Sequence, residues 1–413
     1  MNLKKLAQAG HWPTLVSAFF YFDVSFMIWV LPGALGNFLA GEFQLSPAQK
    51  GLMTALPLLG GAVLRLVFGQ MADRFGAKKT GLIGLALTVL PLLMGWQWAD
   101  SISKMYLVGL LLGVAGASFA VALPLASRWY PPEYQGLVMG IAGAGNSGTV
   151  LAALFAPRLA EKFGWHSVFG LALLPLAVVA LVFLAFAREA PVRSERESVI
   201  RFLGVLCEPD TRVFSLFYGV TFGGFVGLAS FLSVFLHDRF GVSRVAAGDL
   251  TSVCVLAGSF LRPVGGALAD RLGGIRMLAI LYAAVAALMC GAARVTSLPQ
   301  AVTLFVLVMA CLGIGNGSVF QLVPQRYGRN VGVATGVLGA AGGLAGFLLP
   351  NLLGTLRQWV GTYSAGLFAF SGCAVLALVC LMIVQRRWIG LWIAKHGRAH
   401  PASPMIEGEP ELS

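Results

Sequence analysis

Twelve runs of about 20 apolar residues divide this chain, and they leave it few ways to fold. A helix rises about 1.5 Å per residue, so a run of that length crosses the hydrocarbon slab of a bilayer. The runs lie near 14–40, 48–70, 80–98, 102–127, 135–157, 165–187, 212–236, 246–268, 276–294, 298–323, 331–355 and 362–385. Lipid offers no partner for backbone N–H and C=O groups, so such runs have to be helices. The composition agrees: 58% of the 413 residues are hydrophobic and only 11% are charged. A soluble chain carries about 25% charged residues, which this one lacks as a polar coat. The expectation is an all-α membrane protein with twelve transmembrane helices.

The runs fall into two sets of six. Residues 188–211 form the one long polar break, and the tail from Arg386 on is polar too. This predicts a first six-helix bundle over 1–187, a cytoplasmic linker over 188–211, a second bundle over 212–385 and a cytoplasmic tail over 386–413. The net charge of +12 would suggest nucleic acid in a soluble protein. Here Lys and Arg sit in short clusters between apolar runs, so no nucleic acid is expected. Of 29 such residues, 19 fall on the side that holds both termini and 8 on the other. That bias makes the first side cytoplasmic. No cleavable leader is expected, because Met1 to Trp12 is short and mixed and the first apolar run is too long for one. The six cysteines are scattered and have no ligand spacing, so neither a disulfide nor a metal or other cofactor is expected.

The chain also repeats itself. Residues 61–78 read GAVLRLVFGQMADRFGAK and residues 258–275 read GSFLRPVGGALADRLGGI, a shift of 197. Gly61, Arg65, Gly69 and Asp73 thus fall on Gly258, Arg262, Gly266 and Asp270. A second match joins 136–148 to 332–344, and a weaker one joins Tyr21 and Phe26 to Tyr218 and Phe222. Two pseudo-symmetric six-helix bundles account for all three. In such folds the substrate site lies near the bilayer midplane, between the halves.

Arg65 and Arg262 matter most. Each lies deep in an apolar run, where an arginine costs about 2.5–3.5 kcal/mol on insertion scales. A carboxylate partner or snorkelling to the interface would explain them without function. Carboxylates are scarce, however: Asp23 is the one acidic residue well inside a run. An anion held between two planar, forked guanidiniums is the favoured explanation. Gly61, Arg65, Gly69 and Asp73 recur every four residues and so share a helix face, as do their repeats. The glycines let a facing helix approach and keep the pocket narrow. The fifth run, GLVMGIAGAGNSGTVLAALFAP, places Asn146 among glycines that include Gly143. The eleventh, GVATGVLGAAGGLAGFLLP, includes Gly342. Close packing explains most of these glycines, but a buried Asn146 needs polar partners.

The pattern G-x-x-x-D-R-x-G occurs at 69–76 and at 266–273, each at the cytoplasmic end of its run. It resembles the loop pattern of the major facilitator superfamily. There Asp73, Arg74, Asp270 and Arg271 would latch the halves in one state and release them in the other. The two glycine-rich runs, with an arginine in the second and eighth runs, further resemble the nitrate/nitrite porter family within that superfamily. The resemblance runs from Phe22 to the last span. It implies that Arg65 and Arg262 grip the anion from opposite halves and that Asn146 lines the site. Phe119, Tyr218 and Phe222 would form its walls, with Phe22 or Phe26 adding one from the first run. Asp23, about three turns into that run, either carries a proton or is simply a partner for Arg65 or a helix-end group. It favours proton-coupled nitrate uptake over nitrate/nitrite exchange, with transport of another small anion a further alternative. No nucleophile–base pair, metal cluster or nucleotide loop argues for an enzyme. The whole implies a monomeric multi-pass carrier of nitrate, and of nitrite, in a bacterial inner membrane, with both termini cytoplasmic.

Overall fold

A computed structural model describes residues 9–190, 204–205, 207–327, 331–389 and 391–392. Most of the expected linker (191–203 and 206) and of the expected tail (390 and from 393 on) lies outside these residues. So do several cations counted above for orientation, among them Lys4, Lys5, Arg193, Arg196, Arg201, Arg329, Lys395 and Arg398.

Helices account for nearly all of the described chain. The first, α1, runs Trp12–Trp29 and continues through short turns Leu31–Ala34 and Gly36–Glu42. Then follow α2 (Pro47–Phe75), α3 (Ala77–Gln97), α4 (Ile102–Ser127) and α5, built from Pro132–Gly143, a 3-10 turn Ala144–Ser147 and Gly148–Phe163. The sixth, α6, is Trp165–Phe186 and α7 is Pro209–Phe240. The last five are α8 (Arg244–Leu272), α9 (Gly274–Arg294), α10 (Leu298–Tyr327), α11 (Val331–Val360) and α12 (Ser364–Trp388). Eleven of them are long and apolar enough to cross a membrane. The remaining one, α1, carries Asp23, Thr14, Ser17 and Tyr21, which lower its hydropathy. Its buried residues nonetheless run from Thr14 to Trp29, so it packs inside the bundle.

The internal repeat governs the helix ends. α2 and α8 each have 29 residues, and α3 and α9 each have 21. α2 opens on a Ser46–Gln49 capping box and α8 on a Ser243 cap, which satisfy N–H groups that the first turn leaves bare. Both close on the final glycine of G-x-x-x-D-R-x-G. Gly76 has φ 99° and Gly273 has φ 92°. Only glycine adopts that backbone without strain, so this motif position is fixed by the sharp α2–α3 and α8–α9 turns.

Burial separates inner from outer helices. The most apolar stretch of α7 is 100% buried, whereas those of α6 and α12 are only 33% buried. Leu174 and Leu181 of α6 stand 66% and 68% exposed, an arrangement suited to lipid and not to water. The halves α1–α6 and α7–α12 meet along two seams that the repeat makes equivalent. One is α2 on α11, where Gly51 and Gly354 bring the backbones together and Gly343 lies on Ala62. The other is α5 on α8, where Gly248 lies against Ala153 and Pro157. Small residues at such seams allow the dense contact that holds helices together in lipid.

One end of the molecule is tied across these seams. Lys50 pairs with Asp238 at 2.8 Å, and Tyr363 donates to the same carboxylate at 2.8 Å. Arg158 forms a two-pronged pair with Asp249, and Asn37 donates to the Ser233 carbonyl at 3.1 Å. At the opposite end, the loop end, the ion pairs Arg128–Asp73 and Arg326–Asp210 each stay within one half.

Candidate functional site

The two arginines meet in the middle. Arg65 of α2 is fully buried and Arg262 of α8 is 4% exposed. Their guanidinium carbons lie 5.1 and 5.8 Å from the centre of the same ring, Phe119 of α4. That bounds their separation by the sum of those two distances. Neither is held by a carboxylate among the described residues. Arg65 donates instead to backbone carbonyls, from Nε to Gly116 at 3.0 Å and from Nη1 to Gly339 at 2.7 Å. Arg65 Nη2 and Arg262 Nη1 are buried and have no hydrogen-bond partner. A buried guanidinium nitrogen without an acceptor is costly, and a bound anion supplies one. Two neighbouring cations also repel each other at low dielectric, which an anion offsets. The structure therefore leaves little room for the carboxylate-partner account of these residues, and full burial of Arg65 removes snorkelling.

The glycine helices cross over between halves. Arg65, from the first half, is bonded to Gly339 of α11 in the second. Arg262, from the second half, lies against Gly143 of α5 in the first, where an added Cβ would come within 3.4 Å of the guanidinium. Gly143 and Gly339 are repeat partners in the match of 136–148 with 332–344. Each arginine is thus seated on the equivalent glycine of the other half. Gly342 serves a different surface, since a Cβ there would meet Tyr218 at 2.8 Å and Phe222 at 2.9 Å. It makes space for the aromatic wall and does not face a guanidinium.

The aromatic residues form one continuous box. Tyr218 and Phe222 stack at 5.0 Å with ring planes 4° apart. Tyr218 directly precedes a widened π turn at Gly219–Gly223 of α7, and Phe222 belongs to it. Phe222 lies 5.0 Å from the Arg65 guanidinium and 6.2 Å from Phe119. Phe22 packs on Phe119 at 5.7 Å, and Phe26 on Phe222 at 6.3 Å. These two first-helix rings back the wall and do not flank a guanidinium. The Tyr218 hydroxyl is buried near both arginines without a hydrogen bond of good geometry. Such rings hold the site dry and supply faces to the cations.

Asn146 lies on the 3-10 turn of α5, fully buried, with both amide atoms unpartnered. That turn rests directly on α1. Asp23 accepts a 2.6 Å hydrogen bond from the Ser147 hydroxyl, the residue after Asn146. Asp23 is therefore no counter-ion of Arg65. Sequence reasoning overlooked four contributors. Trp29 stands 5.0 Å from the Arg65 guanidinium while its indole N–H donates to Pro57. Phe320 of α10 stands 5.7 Å from the Arg262 guanidinium. Gly116 and Gly339 contribute only carbonyls. Gly339 was detectable as the repeat of Gly143; Trp29 and Phe320 leave no signal among 28 Phe and 9 Trp.

Asp73, Arg74, Asp270 and Arg271 lie far along their helices from this box. Asp73 pairs with Arg128 of its own half at 2.6 Å, and Arg74 covers Phe75. The Lys50–Asp238 and Arg158–Asp249 pairs, which bridge the halves, lie at the other end, and the Asp73–Arg128 pair braces the first half. Among the described residues no cluster of His, Cys, Asp or Glu could hold a metal.

Residues 17–350 match the Major Facilitator Superfamily. The chain is 34% identical to the "Nitrite extrusion protein" of Bacillus subtilis, over 88% of this chain and 91% of that one. It is 36% identical to the "Probable nitrate/nitrite transporter NarK2" of Mycobacterium tuberculosis, over 89% of this chain and 95% of that one. The crystal structure of a bacterial homologue of the human lysosomal transporter Spinster superposes with TM-score 0.69 at 19% identity, covering 94% of this chain and 98% of that one.

Proposed function

We propose a substrate and a cycle for this chain on one premise: it belongs to the major facilitator superfamily and, within it, to the nitrate/nitrite porter family. It is a multi-pass membrane transporter of nitrate and nitrite and not an enzyme. Arg65 and Arg262 grip the anion from opposite halves, each through a nitrogen that otherwise has no acceptor. That pair of guanidiniums, each with one buried nitrogen lacking an acceptor and neither paired with an acid among the described residues, is the observation that carries the proposal. Asn146 donates to an oxygen of the anion, and the Phe119, Tyr218 and Phe222 rings exclude water. Gly143 and Gly342 keep the space narrow enough for a small planar ion.

The cycle is alternating access about this site. With the Lys50–Asp238 and Arg158–Asp249 end closed, the anion leaves toward the loop end. Rocking breaks those pairs, while Asp73, Arg74, Asp270 and Arg271 latch the loop end. The positive-inside bias makes the loop end cytoplasmic in a bacterial inner membrane, with the protein working as a monomer. Nitrate entry then moves negative charge against the membrane potential, at about 2.3 kcal/mol per charge per 100 mV. Two or more protons moving in would reverse that sign, and nitrite moving out would cancel it.

Asp23 supports proton coupling. Among the described residues it is the one buried carboxylate of the first half, and its Ser147 bond ties it to the turn that presents Asn146. Protonation of Asp23 would loosen that tie and shift Asn146 against the anion. The same bond also favours exchange as a second reading, because a carboxylate satisfied by a hydroxyl can have a structural role alone. Nitrate flux into proteoliposomes, with and without an imposed proton gradient and then with internal nitrite, separates the two. Asp23→Asn keeps an acceptor for Ser147, so the fold should persist. We expect this variant to lose gradient-driven uptake and retain nitrate/nitrite exchange; intact gradient-driven uptake would assign Asp23 a structural role.

A further inference from the structure

The buried polar groups without partners include one that the proposed cycle does not use. Asn316 of α10 is fully buried, and both its amide nitrogen and its amide oxygen lack a hydrogen bond. An amide is costly to bury in that condition. Its helix register turns it inward. Asn316 lies one turn before Phe320 and so shares its face. The Phe320 ring flanks Arg262, Phe119 at 6.1 Å and Tyr218 at 5.0 Å.

The internal repeat places Asn316 more closely. Residues 111–120 of α4 read LLGVAGASFA and residues 311–320 of α10 read CLGIGNGSVF. The packing repeats with the letters. Gly113 lies on Gly60 and Gly61 of α2, and Gly313 lies on Gly258 of α8, the repeat partner of Gly61. In this match Asn316 takes the place of Gly116, whose carbonyl accepts from Arg65 Nε. A Cβ on Gly116 would meet the Trp29 ring, which lies 5.0 Å from the Arg65 guanidinium, so by the repeat the Asn316 side chain takes, beside Arg262, the place that the Trp29 ring fills beside Arg65. Like Arg65 Nη2, Arg262 Nη1 has no acceptor.

Resting on the proposal that this is an anion site, we propose that Asn316 is a further ligand of the substrate. Its Nδ2 donates to an oxygen of the planar anion that Arg262 Nη1 also grips. The amide thus adds a donor from α10 to the one that Asn146 supplies from α5. The buried amide nitrogen and the guanidinium nitrogen, both without a partner in the structure, are then satisfied by the same ion.

The test is a nitrate titration of the purified full-length chain, read as the rise in thermal midpoint, for wild type, Asn316→Ala and Arg65→Lys. Asn316→Ala should match the wild-type midpoint without nitrate and need about 10- to 100-fold more nitrate for the same rise, the loss of one hydrogen bond to a charged group. An unchanged titration for Asn316→Ala beside a failed one for Arg65→Lys would overturn the role of Asn316 and leave the anion site standing. Unchanged titrations for both would remove the anion site itself. Should the alanine variant not accumulate, Asn316→Gly restores the residue of the first half and is judged by the same shift.

Discussion

Arg65→Lys should abolish nitrate uptake while leaving the folded protein in the membrane. The guanidinium of Arg65 donates to Gly116 in its own half and to Gly339 in the other half, and in the proposed site its free Nη2 donates to the anion. An ammonium on a flexible stem carries three donors from a single point and has no plane to match them. It can reach one carbonyl or the anion, but it cannot bridge the halves and bind substrate together. Hydrogen bonds to charged groups are worth about 1.5–3 kcal/mol each. Losing two of them lowers uptake by about 100-fold or more. Initial rates in proteoliposomes, set beside the thermal midpoint of the same preparation, provide the measure. A variant with a wild-type midpoint and near-normal uptake would remove Arg65 from the site.

The second large effect belongs to the fold. Gly148→Ala should sharply reduce the amount of folded protein. Here α5 crosses α1 at the Asp23 turn with no space between backbones. An added Cβ would sit inside the van der Waals shell of the Asp23 carbonyl oxygen and 2.8 Å from the Met27 nitrogen. These are main-chain atoms and cannot rotate away, so one helix must move. Overpacking of this kind costs about 1–3 kcal/mol and sometimes more. Gly372→Ala in α12 is the control, because nothing lies within 4 Å of a Cβ there. That substitution should be neutral, or stabilise by about 0.5–1 kcal/mol as alanine usually does in a helix. Thermal midpoints of the two variants in detergent give the comparison. Equal midpoints would mean that α1 and α5 are not in such contact.

Much of the architecture was legible because lipid restricts the backbone to helices and the repeat doubles every signal. The ends of α2 and α8 could be read from one motif written twice. The α1 boundaries were readable only in part: Pro32, Gly33 and Gly36 mark the breaks at Val30 and Leu35, but helix resumes after each inside one apolar run. At the site, charge was the strongest signal: Arg65 and Arg262 stand out in apolar runs, and Asn146 stands out among glycines. Contributions made by backbone or by ordinary aromatic residues were hidden. Gly116 lends only a carbonyl, and Trp29 resembles any indole near a helix end. The loop-end charges were readable as a pair of motifs, but their partners were not, because Asp73 and Arg128 are joined only when α2 and α4 end side by side.

The Arg65–Gly339 bond carries a consequence for how such a carrier can diverge. A carbonyl belongs to the main chain, so no exchange of side chain at residue 339 deletes it. Mutation can reshape the ring-lined walls one residue at a time, yet this anchor changes only when the path of α11 itself changes. Natural drift in what the pocket accepts should therefore accumulate at Phe119, Tyr218, Phe222 and Phe320, around a fastening that is nearly immune to single-codon change.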